Sequence, residues 1–578
     1  MNRRNFLNTG DMVIGRFITA KQLGHVYTNP EQELTRILRT FSSKDILVTL
    51  ARINLLFHRS TNLLSDERKL KEAYCSIPML NKIYGDIGNS FLFHRQATLR
   101  LLNKCACVAR SDSERSFDRN DALNDFSKSY LLVSELLEAE SSARNMTGDT
   151  EKKDLLVKSF AFMEYSVNSS PAYETKKLMV RSEELLRRLQ EHTSELNVNE
   201  IFSQVTGLTL HDYQQLVFGV FTFYWSFTSE EIGRQDPIID RSLFFNPNGQ
   251  SPELTPLYEK LLSHICISMD ELRNSAEEHP KFADEFLLWR EYPILKISED
   301  RTICVDFSFL LDKLQTGVFW TIRGYLKEKK MERGIFEKLW GDVFEDYASS
   351  IIKRGIYSQD PSNGDKLIVN PKYHQKQQDE CTDIAICCDN TLILMECKAT
   401  ILSAQAKFSG DFNIFNENIK SAKKGIKQLW NAILKLGNRR ENKRAAVQGI
   451  DIRKVKKIYP VLVLSDQIFS TLLMSWFLDS EFQSLKQQKY LMEDLKVMPL
   501  TILTIMDLES LEPYMIDKPF HAHLDEWLNL FKEKDVSVFR SYLYPLMMDN
   551  PREHSFMDQR FAQITSGVQR YFSSRGIS

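Results

Sequence analysis

Apolar residues recur at three- and four-residue spacing through the N-terminal third of the chain. The runs "EQELTRILRTF", "KDILVTLARINLLF", "ALNDFSKSYLLVSELLEAE" and "KKLMVRSEELLRRLQ" each place an apolar stripe on one side of a predicted helix. Polar breaks at "RSDSERSFDRND" and "SSARNMTGDTEKKD" predict exposed loops between them. Leu131, Leu136 and Leu137 belong to such a stripe and are read as core. From about Glu200 the pattern becomes more aromatic. The run "LVFGVFTFYWSF", Leu216 to Phe227, is too short to span a bilayer and predicts a buried helix or strand. "FFNPNGQSPELTP" predicts a loop. "YPILKISEDRTICVDFSFLL" predicts a β-hairpin turning near Ser298 to Arg301.

The pattern changes after Gly324. A long helix is predicted from about Gly334 to Lys353, with Phe336, Trp340, Val343, Phe344, Tyr347 and Ile351 on its apolar face and Gly355 as its stop. A short strand "KLIVN" follows. Two apolar strands then lie in "TDIAICCDNTLILMECKAT", separated by the turn "DN". Next come a helix containing "NIKSAKKGIKQLWNAILKLG", the strands "KIYPVLVLS" and "PLTILTIMD", and helices after about Pro519. The expected fold class is therefore multi-domain: a mainly α N-terminal region and a C-terminal α/β domain with a mixed central sheet. The expected spans are a helical domain (1–199), a connecting α+β domain (200–324), the α/β domain (325–515) and a helical tail (516–578).

The length of 578 residues is too great for one ordinary core, in agreement with several domains. The net charge of −2 gives no global sign of a polyanion partner, so any nucleic-acid site must be a local patch. The nine cysteines follow no zinc spacing and several lie in apolar runs, which predicts reduced thiols in a cytoplasmic protein. "NRRNFLN" carries paired arginines like an export signal, but Asp11, Arg16 and Lys21 interrupt the apolar core such a signal needs. No transmembrane segment and no GxxxxGK[ST] phosphate loop is found, so neither a membrane partner nor P-loop ATP binding is expected.

The strand pair from Thr382 to Thr400 contains charges where burial is costly. Residues two apart on a strand share a face, so Glu396 and Lys398 project together, while Met395 and Cys397 point to the other side. A short turn near Asn390 brings Asp383 back beside Glu396. Two carboxylates and an amine then converge. Mg²⁺ suits such oxygens, with the Cys397 carbonyl as a third ligand and Mn²⁺ as the alternative ion. Bound metal would lower the pKa of a water and stabilise phosphate charge. Lys398 would orient that water or, with its own pKa lowered by burial, move a proton. The plain alternative is a buried ion pair. Five other Glu-x-Lys pairs, such as Glu67/Lys69, lie in polar surroundings; only Glu396/Lys398 ends an apolar strand that follows another bearing an acid.

At Asp383 and Glu396-Cys397-Lys398 the sequence resembles the PD-(D/E)XK nuclease superfamily. The resemblance covers roughly Gly334 to Glu509. It implies a restriction-endonuclease-like fold, Mg²⁺ dependence and phosphodiester hydrolysis, with DNA as the expected substrate. It also implies a helix glutamate, for which "FEDY" offers Glu345; Glu337, earlier on the same helix, is the competing choice. Gln428 in "KKGIKQLW" resembles a glutamine on the helix after the motif that contacts the active site or the substrate backbone. The motif's proline is absent, since Thr382 precedes Asp383. Bacterial chains with this layout often serve as endonucleases in restriction or antiviral defence.

Basic residues cluster after the motif. Lys420, Lys423, Lys424, Lys427 and Lys435 lie on one predicted helix, Arg439, Arg440, Lys443 and Arg444 follow it, and Arg453, Lys454, Lys456 and Lys457 lead into the next strand. Such a patch beside a metal site would attract a phosphate backbone. The metal-binding candidates are thus Asp383, Glu396, Cys397 and Glu345. Two functions remain in view: a Mg²⁺-dependent nuclease regulated through its helical N-terminal region by a protein partner, or an inactive nucleic-acid-binding or assembly module with that region as scaffold.

Overall fold

In the computed structural model the described residues are 18–60, 63–86, 91–109, 117, 120–142, 171–192, 196–227, 237–240, 253–278, 287–331, 333–357, 366–373, 380–408, 411–441, 446–447, 450–487, 495–534 and 538–575. The opening arginines, most of "RSDSERSFDRND" and all but the start of "SSARNMTGDTEKKD" lie outside them, as does most of "FFNPNGQSPELTP". So do Lys443 and Arg444, together with the side chains of Leu137, Arg439 and Arg440.

The N-terminal region is helical, as its periodicity predicts. Local chemistry starts the helices. Ser42 caps α1 (Ser43–Arg59) by accepting from the Asp45 N–H. His94 caps α2 (Arg95–Val108) through the Ala97 N–H. Further on lie α3 (Pro171–Glu191) and α4 (Leu210–Ser226); the dense aromatic run is therefore a helix, capped by Thr209. A small mixed sheet follows. Its strands β1 (Ile239–Asp240), β2 (Cys266–Ser268), β3 (Ile294–Ser298) and β4 (Arg301–Cys304) stand in the order β1-β4-β3-β2. The β3–β4 hairpin turns between Ser298 and Arg301, where the turn residues placed it.

Helices α5 (Phe307–Asp312), α6 (Val318–Glu328) and α7 (Arg333–Tyr357) lead to the second sheet. All six apolar residues named for α7 are buried. Gly355 does not stop it. The helix runs on to Tyr357, and the missing side chain at Gly355 makes room for Met515, whose Cε lies 2.4 Å from where a Cβ would stand.

The second sheet contains β5 (Lys366–Val369), β6 (Ile384–Cys388) and β7 (Thr391–Lys398), which pair antiparallel. After α8 (Lys420–Glu441), a two-stranded ribbon is formed by β8 (Ala446–Val447) and β9 (Ile450–Asp451). Then β10 (Lys457–Leu464) joins β7 in parallel, and α9 (Leu472–Gln487) follows it. Both β11 (Lys496–Val497) and β12 (Thr501–Thr504) pair in parallel with β10. The stretch "PLTILTIMD" is only half strand: Thr504 and Asp507 form a capping box that turns it into α10 (Ile505–Leu511). The tail is helical, with α11 (Phe520–Lys534), α12 (Phe539–Asp549) and α13 (Ser555–Ser573).

Alternating residues on each sheet enter different cores. Leu295 and Ile303 face a core shared with α1 and α2, whereas Ile294 and Cys304 face a middle core. On the second sheet Ile393, Met395 and Cys397 face that same middle core; Leu392, Leu394 and Leu462 face a third core under α8 and α9. The middle core also takes residues of α3, α4, α7 and the tail. No helix of the described residues is long and apolar enough to cross a membrane.

Candidate active site

The site forms at the end of β7 where α7 and α8 approach each other. Its first parts are local. Asp389 and Asn390 make a two-residue turn, with Asp389 at φ 50°, and the resulting register sets Ile384 opposite Met395. Asp383, one residue before β6, therefore lies beside Glu396. The Cys397 N–H donates to Asp383 Oδ2 at 2.6 Å. The Lys398 ammonium donates to Glu396 Oε2 at 2.6 Å and reaches Asp383 Oδ2 at 3.4 Å. Glu396 also lies within hydrogen-bond reach of Asp383. Thr382 donates its hydroxyl to the Met395 carbonyl at 2.6 Å and ties the chain down before the aspartate.

Glu345 comes from α7. Asn370, just after β5, connects it to the pair: its amide nitrogen, turned to face two acceptors, donates to Glu345 Oε1 at 2.7 Å and to the Asp383 carbonyl at 3.1 Å. The Asn370 backbone N–H binds that same carbonyl at 2.8 Å, and its φ of 50° is a conformation asparagine tolerates. Glu337 lies two turns earlier on α7, exposed and paired with Arg323 at 2.8 Å.

Charge at the site does not balance. Glu345, Asp383 and Glu396 are three carboxylates; Lys398 is one ammonium. Burial first, and then the charge of Asp383, pushes the Glu345 carboxyl up to about 7. The same two causes, in the same order, push Glu396 upward. Burial works against the Lys398 ammonium, but Asp383 and Glu396 outweigh it and hold its pKa above the ordinary lysine value. The direction is opposite to the lowering expected for proton transfer.

An open cleft of about 610 Å³ gathers Glu345, Cys397, Lys398, Lys420, Lys424 and Gln428. Helix geometry explains the selection. Lys420, Lys424 and Gln428 are four apart and form one ridge of α8. Lys423 and Lys427 fall off it. Lys423 pairs with Glu481 of α9 at 3.0 Å, and Lys427 points to solvent outside the cleft lining. Farther along, Lys435 lies over the Tyr373 ring, Arg453 pairs with Asp451 and Lys457 with Asp525. The basic cluster of the sequence is thereby divided. Gly425 completes the fit, because a Cβ there would stand 3.1 Å from Lys398 Cγ and 2.8 Å from Leu462 Cδ1. Gln428 Oε1 is buried with no hydrogen-bond partner among the described residues.

Among the described residues no three His, Cys, Asp or Glu side chains stand close enough to hold an ion by themselves. Asp383 and Glu396 form a close pair, and Glu345 joins them through Asn370 and through its charge. Asp383 and Glu396 offer oxygens of the kind a hard cation takes, while burial favours the protonated forms of Glu345 and Glu396 where no cation is bound. Asn370 carried no signal in the sequence beyond its place after a short strand. No protein family, curated protein or solved structure matches the chain.

Proposed function

We propose that the chain is a metal-dependent nuclease that hydrolyses phosphodiester bonds, with DNA as its substrate, and that its α/β half has the restriction-endonuclease-like fold. The observation that carries this reading is the surplus of carboxylate around Lys398. A structural ion pair has no use for three acids on one ammonium, since the extra acids can ionise there only at a cost in free energy. A site for a cation and a phosphate does. The order of helix α7, an antiparallel β5–β6–β7 unit, helix α8 and the parallel strand β10 supports the fold assignment.

Asp383 and Glu396, with the Cys397 carbonyl, would hold Mg²⁺, which when bound supplies an acidified water and charge for the phosphate. Lys398 keeps its proton and presents it toward the attacking oxygen or the developing phosphorane charge. Asn370 fixes Glu345 and the Asp383 backbone against each other, so both carboxylates keep their places. Gly425 lets α8 lie directly on the Lys398 stem, which restricts where the ammonium can go.

Supercoiled plasmid incubated with the protein tests this. Nicking is expected with Mg²⁺, none with EDTA, and at least a hundredfold slower nicking, as an order of magnitude, with Lys398→Ala. Equal nicking by the wild type and the Lys398→Ala protein would remove the hydrolase reading.

A further inference from the structure

The cleft has two unlike walls. One is the α8 ridge of Lys420, Lys424 and Gln428. The other comes from α6 and is aromatic: Phe319 and Trp320, with Arg323 beside them. Trp320 is only partly buried. Phe319 packs edge-on against it, with ring centroids 5.1 Å apart. The Arg323 guanidinium sits 5.0 Å from the Trp320 ring centroid and is itself held by Glu337 at 2.8 Å. Trp320 is therefore braced from two directions while still lining the cleft. Between the walls, Gly341 on α7 leaves the floor bare; nothing lies within 4 Å of where its Cβ would be.

The charges sort along this space. Glu337 offsets Arg323 and Glu417 offsets Lys420. Lys338 and Lys424 are exposed, and among the described residues neither has an ion-pair partner; the acids Asp342 and Glu345 line the same cleft on α7. Aromatic rings and exposed lysines lining one cleft are how proteins hold single strands: bases stack on the rings and phosphates follow the lysines. A paired base in a duplex hides its faces from such a ring. The volume agrees, since a cleft of about 610 Å³ is of the size that encloses one drug-sized molecule, roughly 300–1,000 Å³. That is room for unpaired nucleotides between the walls.

We propose that the cleft takes a single-stranded stretch of nucleic acid, with a base stacked on Trp320 and the backbone tracked by Lys338 and Lys424. This rests on the nuclease reading for the purpose of the site, and it goes further by naming the substrate as an unpaired strand.

Binding separates the two claims. Labelled single-stranded DNA, the same sequence as a duplex, and single-stranded RNA are titrated by fluorescence anisotropy with Ca²⁺ replacing Mg²⁺, at one fixed salt concentration. Either single strand binding about tenfold or more above the duplex supports the proposal. Trp320→Leu, which keeps apolar volume against Phe319, is expected to lose about tenfold, and Trp320→Phe to stay within about threefold of wild type. Circular dichroism shows that each variant is folded, and Lys424→Ala, at an exposed position, gives a second test through a shallower salt dependence. Equal affinity for duplex and single strand, or an unchanged affinity in Trp320→Leu, overturns the proposal. Tight single-strand binding that Trp320→Leu weakens, in a protein that cuts nothing, supports it and removes only the nuclease reading. Duplex cleavage that Trp320→Leu leaves untouched overturns it and leaves the nuclease reading in place.

Discussion

Two buried acids in this molecule, Asp306 and Asp383, live in opposite ways. Asp306 is fully buried and caps α5 through the Phe309 N–H at 3.0 Å. Its other oxygen accepts from Arg95 at 2.8 and 3.0 Å, from the Asn54 amide at 2.8 Å, and meets His58 at 3.1 Å. Burial opposes its charge, but Arg95 and His58 outweigh burial and hold the carboxyl far below the usual range. One acid is matched by its surroundings, and three helices are joined. Glu509 repeats the arrangement, gripped by Arg181 at 2.6 and 2.7 Å and by the Tyr347 hydroxyl at 2.8 Å. At Asp383 three acids share one lysine, and two of them are pushed up. The lesson concerns compensation. Around Asp306 the chain supplies one guanidinium, one imidazole and two neutral donors for a single acid.

The largest expected effect breaks the fastener. Asp306→Ala leaves Arg95 buried without its counter-charge and removes a cap, so stability should fall by about 3–5 kcal/mol. Urea unfolding measures this, and cleavage per folded molecule should not change. Next, Lys398→Ala should cost roughly a hundred- to a thousandfold in single-turnover cleavage. A Lys398→Ala protein that kept full activity would make the Asp383 cluster just another fastener. Glu396→Gln sharpens the contrast: activity lost, but metal-free melting temperature unchanged or raised, because a repelling charge is gone.

The pH dependence is smaller and has a definite sign. Glu345 is raised from 4.5 to about 7, so the folded chain keeps a proton that the unfolded chain has lost. Metal-free stability should therefore fall as pH rises through that window; an acid held low, like Asp306, has the opposite sign and acts only in the acid range, below its unfolded value of 3.8. Calorimetric melting should show a drop of a few degrees between about pH 5 and pH 7, and a Mg²⁺-induced gain that is larger above this window than below it. The smallest effect separates two neighbouring lysines. Lys424→Ala should reduce the salt slope of nucleic-acid binding by about 1, and Lys427→Ala should leave it unchanged.

Local rules made the core of the site readable. Strand alternation put Glu396 and Lys398 on one face, and the two-residue turn at Asp389–Asn390 returned Asp383 to them; neither step needs a distant residue. The same reasoning found the Ser298–Arg301 turn and the buried face of α7. It misjudged Gly355, because a glycine that ends helices elsewhere is here an opening for Met515 from far along the chain. It set aside Glu67 as surrounded by charge. That residue is buried, paired with Lys71 at 2.7 Å and accepting the Leu92 N–H at 2.8 Å. Local polarity does not reveal which side of a helix a fold will cover. Lys423 and Lys427 were grouped with Lys420 and Lys424 by nearness in sequence, whereas a helix groups by fours.

By itself, then, the sequence determined the elements, their apolar faces and the Asp383–Glu396–Lys398 convergence, since all of these follow from backbone periodicity and short turns. Tertiary structure alone decided that Asn370 links Glu345 to the pair, that Gly425 seats α8 on Lys398, and that Trp320 of α6 and Lys424 of α8 line one cleft. Each of those depends on elements far apart in sequence being packed at contact distance, and the pattern along one segment carries no record of what will be pressed against it.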